Sequence, residues 1–223
     1  MKKAFILAKV DSMIINWYGE SCFKIVTGGV TLLVDPFESN TGFTPPRFKA
    51  DITLTTLTKL PLEDFFGEEK KETNQISGPG EFEIQGIRVV GVPLRKETNA
   101  EEMRTVFMVE AEGMKLGFLG YISTDPDAIE LEYINEVDIA CIPGGGAPFL
   151  SVDKAVKLIK NISPKIVIPT LFKIPGLKRK AGDAKEFIHA LESNGESTVS
   201  QEKLTIKKND LPEHLKSVVL KKT

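Results

Sequence analysis

Alternation of apolar and polar positions runs through the first half of the chain. Ile14 to Tyr18, Cys22 to Thr27 and Val30 to Asp35 read as three strands, and Gly28-Gly29 between the last two is a two-residue hairpin turn. Asp51 to Thr55, Glu81 to Gln85, Ile87 to Val92, Thr105 to Ala111 and Lys115 to Leu119 continue the series, with Glu112-Gly113 as a second tight turn. The second half changes period. Asp125-Pro126 reads as a helix N-cap followed by Pro at the first helical position, leading into Ala128 to Asn135. Val137 to Ile142 is strand-like, and Ser151 caps a segment whose Val152, Ala155, Val156, Ile159 and Ile162 have helical spacing. Ile166 to Ile168 is an apolar strand, Asp183 with Glu186 forms a capping box for Ala184 to Ser193, and Leu204 to Ile206 and Val218 to Leu220 are further strands.

Meandering strands followed by βαβ units, with few helices, predict an α/β protein of sheets packed face to face with helices on their outer faces. No low-complexity linker divides residues 1–223, so the chain reads as one domain. Phe37 to Lys49 and Lys173 to Gly182 lack periodicity, and long irregular loops of this kind commonly border a functional site.

Composition narrows the function classes. At 223 residues and 41% hydrophobic, the chain has enough core to fold without disulfides or a structural metal. A formal net charge of −2 excludes the strongly basic balance of a dedicated nucleic-acid binder, and Lys178-Arg179-Lys180 reads as a solvated loop. Two Cys and two His leave little for a metal site rich in those ligands, and Cys22, Cys141, His189 and His214 have no ligand-like spacing. Both Cys lie in apolar runs, which suits a reducing cytoplasmic compartment, and no stretch reaches transmembrane length.

Several motifs then carry a resemblance. Tyr18-Gly19-Glu20-Ser21-Cys22-Phe23, Leu32-Leu33-Val34-Asp35-Pro36-Phe37, Ala50-Asp51-Ile52, Ser77-Gly78-Pro79-Gly80-Glu81, Ile142-Pro143-Gly144-Gly145-Gly146 and Ile166-Val167-Ile168-Pro169 stand in that order. Together they resemble the metallo-β-lactamase-fold hydrolases, in the branch with ascorbate-phosphate lactonase and related zinc-dependent hydrolases. The resemblance implies a four-layer αβ/βα sandwich of two mixed sheets, with a site at the sheet edges between the halves. It covers the chain from Met13 onward, and residues 1–12 form an extension, either an extra strand or a stretch ahead of a start at Met13.

In that family a His-x-His-x-Asp-His motif, two later His and an Asp hold zinc, which lowers the pKa of a bound water to near 7. By the resemblance, the motif's three His fall at Leu57, Lys59 and Leu62 and its Asp at Pro61. The later His falls at Lys96, with Arg95 as the one-residue alternative, the bridging Asp at Tyr121 and the last His at Leu171. Glu20 replaces a His usual after Tyr18-Gly19. Leu and Pro cannot coordinate and an ammonium repels a dication, so the expectation is no cofactor where the family uses zinc.

Two arrangements of the vacated site remain open. A Lys59 ammonium could stand near the former metal position, neutralised by Glu20 or Asp64, or the lysines could point into solvent. Unpaired cations at an open cleft, with Asp35, Asp64, Arg95, Gly144, Gly145 and Gly146 lining it, would bind a small anion. Tyr121 with Lys59 or Lys96 is an alternative acid/base pair. The function expected is a catalytically degenerate binding or regulatory module, forming a homo-oligomer or pairing with an active relative. The alternative is a hydrolase of a lactone or phosphoester that uses non-standard residues.

Overall fold

A computed structural model describes residues 12–60, 74–191 and 198–223. The first sheet is built from β1 (Met13–Gly19), β2 (Cys22–Thr27), β3 (Val30–Val34), β4 (Ile52–Leu54), β6 (Asn74–Ile76) and β14 (Leu204–Ile206). Its order is β14-β1-β2-β3-β4-β6, with β3, β4 and β6 mutually parallel. The second sheet contains β5 (Leu57–Lys59), β7 (Gly80–Ile84), β8 (Ile87–Pro93), β9 (Glu102–Ala111), β10 (Met114–Phe118), β11 (Ile139–Pro143), β12 (Ile166–Thr170), β13 (Val199–Gln201) and β15 (Lys216–Leu220). There the order is β13-β15-β12-β11-β10-β9-β8-β7, parallel from β10 through β12 to β15 and on to β13, and β5 pairs with the near end of β9.

Both sheets are therefore mixed and lie face to face. Alternate residues of β1 (Met13, Ile15 and Trp17) are buried against Val89, Phe107, Phe118, Ile168 and their neighbours from the second sheet, as period-two patterning requires. The opposite face of the second sheet is apolar too. Val106, Met108, Ala140, Ile142 and Val167 meet α1 (Ala128–Ile134), α2 (Val152–Ile162) and α3 (Ala184–Leu191) through Ile134, Leu158, Ile159 and Phe187. These are three of the four expected layers. Residues 61–73, 192–197 and 1–11, which include Pro61, Leu62, Asp64 and most of the N-terminal extension, lie outside the description.

Local differences from the sequence reading have physical causes. The cap of α1 is Asp127 rather than Asp125, because the Asp127 carboxylate accepts from Glu130 N while the Glu130 carboxylate accepts from Asp127 N, a capping box two residues further on. The short strands β5, β6 and β13 have three residues each, too few to show a period. His189 is exposed on α3. Among the described residues no helix is long and apolar enough to cross a membrane.

Between β4 and β5 the chain leaves the first sheet and enters the second, with Thr56 at the crossing. That step brings the carboxyl ends of β3 and β4 beside those of β10, β11 and β12, the edge where α/β sheets hold their ligands.

Candidate functional site

Three residues with side chains hold left-handed backbone at this edge. Glu20 (φ 51°) stands in the turn after β1, Asp35 (φ 45°) follows β3, and Leu171 (φ 57°) follows β12. Each such residue costs roughly 1–2 kcal/mol of backbone strain, and strain of this sort gathers at sites that the surrounding structure over-determines. The main chain ties two of them together: Leu171 N donates to Glu20 O at 3.3 Å, and the Trp17 indole Nε1 donates to the same oxygen at 3.0 Å.

The Glu20 side chain is 5% exposed, and a guanidinium neutralises it. Arg179 Nε donates to both carboxylate oxygens at 3.0 and 2.9 Å, and Nη2 donates to Oε2 at 2.7 Å. The same Nη2 donates to Leu171 O at 2.7 Å, so one side chain links the first sheet's turn to the end of β12. Phe149 lies under the guanidinium at 5.2 Å, and Tyr121 packs on Phe149 at 5.6 Å between ring centres. Burial raises the Tyr121 phenol well above the usual tyrosine range, and the Asp35 and Glu20 charges raise it further, so it stays protonated near neutral pH.

Asp35 is buried and has no cation beside it among its hydrogen-bond partners. Thr56 N donates to Oδ1 and Thr56 Oγ1 to Oδ2, both at 2.7 Å, and the Ser21 side chain adds a third hydrogen bond. Burial outweighs these donors and pushes the carboxyl up to about 6. Burial, with the nearby Asp35 charge, also pushes the Cys22 thiol far up, and burial alone does so for Cys141, so neither offers a thiolate.

A third carboxylate closes the other end. Glu97 (side chain 3% exposed) accepts from the backbone N and hydroxyl of both Ser123 and Thr124, and pairs with Arg104 Nη1 at 3.1 Å. Arg104 also donates to Tyr121 O, which places Tyr121 between the two carboxylate centres.

Several expected placements are corrected. Lys59 is exposed on β5 opposite Glu102, and Glu20 pairs with Arg179 instead of with Lys59. Arg95 and Lys96 sit exposed in a single helical turn, and Arg95 lines a separate cavity of about 240 Å³ beside α1. No hydrogen bond joins Tyr121 to Lys59 or Lys96 among the described residues. Leu57 is half-buried on β5 and Leu171 is fully buried. Gly145 serves close packing: a Cβ there would collide with the Leu171 carbonyl, and its own carbonyl accepts Gly182 N at 2.8 Å. Gly144 approaches Pro169 in the same way, while a Cβ on Gly146 would meet open space. Arg179 lay in the loop read as solvated, and its carboxylate partner stands 159 residues away, beyond the reach of any spacing rule.

Comparison with known proteins places this geometry. The family model of the β-lactamase superfamily domain matches residues 14–171, well over half of the chain. The chain belongs to the β-lactamase superfamily. Superfamily relatives named metal-dependent hydrolases include one from Thermoplasma acidophilum, 26% identical over 189 residues (72% of this chain, 83% of the relative). Another, from Methanopyrus kandleri, is 21% identical over 217 residues (82% and 93%). A metallo-β-lactamase superfamily protein from Thermotoga maritima superposes with a TM-score of 0.72 at 22% identity, covering 93% of this chain and 98% of its own. Igni18, a metallo hydrolase from Ignicoccus hospitalis, gives 0.64 at 18% identity, covering 88% and 99%. The fold is the metallo-β-lactamase α/β sandwich.

These relatives correct the expectation that no cofactor belongs here, because both curated ones are named for metal dependence. The residues described in this chain do not fit such an ion. No three His, Cys, Asp or Glu side chains gather to hold one among the described residues. Glu20 is engaged by a guanidinium, Asp35 by Thr56 and Ser21, and the mapped positions at Leu57, Lys59, Lys96, Tyr121 and Leu171 offer two alkyl groups, two ammonium groups and a protonated phenol.

Proposed function

We propose that this superfamily member is a non-catalytic binding or regulatory module with a small anionic ligand. The observation that carries the reading is the Glu20–Arg179 pair, a buried carboxylate whose two oxygens are both engaged by one guanidinium. A carboxylate so held is neither a free base nor a free ligand. The neighbouring phenol of Tyr121 is kept protonated, and Leu171 fills its position with an alkyl group. Among the described residues no side chain at this edge is left with the lone pair and exposure that activating a water needs.

The test is hydrolysis of bis-p-nitrophenyl phosphate and of an aliphatic lactone by purified protein, with zinc, manganese or iron(II) supplied in turn. The expected result is release no faster than in protein-free controls. Turnover with any of these metals that is lost in Tyr121→Phe or Arg179→Met overturns the reading. The second reading, a hydrolase of a lactone or phosphoester through non-standard residues, draws support from the names of the relatives, and that result would be its signature.

A further inference from the structure

Two cavities adjoin the Glu20–Arg179 pair and share a wall. The larger, an open hollow of about 800 Å³, is formed by the irregular loop after β12 and is lined by Lys173, Ile174, Pro175, Arg179, Lys180 and Asp183 among others. The loop is closed at its neck by Lys173 N donating to Gly182 O, and Lys178 N ties it to Thr41 O of the other irregular loop. The smaller cavity, about 370 Å³, lies on the other flank of Ile174 and Pro175, between Trp17, Phe172, Val219 and Leu220. Its floor is a stacked pair, Trp17 on Phe172 at 5.1 Å, and the Trp17 indole is held by the backbone of the same Glu20 that binds Arg179.

The two cavities differ in chemistry. The larger is cationic: Arg179 is spent on Glu20, and Asp183 is engaged by Lys185, whereas the exposed Lys173 and Lys180 form no ion pair among the described residues. The smaller is apolar along Trp17, Phe172, Val219 and Leu220, and its two lysines are engaged elsewhere, Lys221 with Glu202 and Lys222 over the Phe43 ring. Lys173 lies in sequence between Phe172, which floors the apolar cavity, and Ile174, which walls both, so a charged group and an apolar surface meet across one residue.

We infer that this pair of cavities is a binding site for a small amphipathic anion, an apolar body seated on Trp17 and Phe172 and a carboxylate or phosphate head between Lys173 and Lys180. The inference rests on the binding-module reading and names its ligand class. The volumes suit a small molecule, and the pairing of an apolar wall with a few convergent charges is how such sites fix orientation. An anion alone would gain only exposed ion pairs, worth little in water, and an apolar body alone would leave the cations unused.

Trp17 is the only tryptophan of the chain, so its emission reports the apolar cavity directly. The probes are decanoate below its micellar concentration, decanol as the body without the charge, and acetate as the head without the body. Decanoate is expected to change Trp17 emission saturably, acetate to leave it unchanged, and decanol to bind about tenfold more weakly. The Lys173→Ala/Lys180→Ala variant, altered only at exposed positions, is expected to lose about tenfold in decanoate affinity at unchanged Tm. Dodecyl phosphate in place of decanoate separates the two head groups. No saturable response to decanoate or dodecyl phosphate, or an undiminished response in the double variant, overturns the inference. The hydrolysis assay keeps the two readings apart: silent probes without turnover remove this inference alone, and turnover with saturable binding removes the non-catalytic reading alone.

Discussion

Glu20 and Glu97 bury a carboxylate at the two ends of one site, and they are neutralised differently. The side chain of Glu97 collects two backbone amides, two hydroxyls and one arginine, whereas that of Glu20 has a single guanidinium. Many weak dipoles share the load at the Glu97 end, so no one of them is indispensable. At the Glu20 end one cation does the whole work, and the same cation fastens Leu171 O. The contrast teaches that the two ends of this site have different failure modes: one degrades gradually, the other at a single residue.

The largest expected effect comes from breaking the Glu20 end. Arg179→Met leaves a carboxylate 5% exposed without its partner, a change that costs about 3–5 kcal/mol, reduced toward the lower figure because Arg179 itself is 25% exposed. Thermal unfolding should show Tm lower by about 6–12 °C. Adding Glu20→Gln to that variant removes the bare charge and should recover at least half of the loss. A double variant as unstable as Arg179→Met alone would mean that the bridge to Leu171, not the ion pair, is what matters.

Asp35 sharpens the comparison, because it has dipoles and no guanidinium. Its folded-state pKa of about 6 lies above the ordinary value near 4, so the folded chain holds a proton that the unfolded chain has released between those pH values. Stability therefore falls as pH rises from about 4 to about 6 and stays at the lower level above that. Urea unfolding of the protein and of Asp35→Asn across this range should show their stability difference moving against the native protein by about 2–3 kcal/mol. A difference that is flat with pH would mean that water reaches the carboxylate.

Arg104→Met is the smallest of the three. Glu97 keeps four donors from Ser123 and Thr124, and Arg104 Nε is already buried without a partner among the described residues, so about 1–2 kcal/mol is expected in denaturant unfolding. A loss equal to that of Arg179→Met would erase the distinction between the two ends.

The strands that frame the site were legible where five or more residues alternate, as in β1, β2 and β8, because a half-buried strand writes its period into the sequence. The family was legible in turn motifs such as Gly19-Glu20 and Asp35-Pro36, which sit where the backbone turns left-handed. That Leu57 and Leu171 offer no coordinating atom was legible too, whereas the metal dependence in the relatives' names overturns the expectation of no cofactor. Lys59 left two arrangements open, because a sequence does not record the side of β5 from which its chain leaves, and the structure shows it exposed.

By itself, then, the sequence determined the order of elements, the two-sheet architecture and the residue types at the mapped positions, all of which follow from local periodicity and residue type. Only the tertiary structure decided what the residues around those positions meet. Arg179 meets Glu20 across 159 residues, Glu97 gathers Ser123 and Thr124 from the loop after β10, and Ile174 with Pro175 divides a cationic cavity from an apolar one. The reason is physical: charge neutralisation and cavity shape depend on distance in space, and loops without a period carry no local record of which distant residue they will meet.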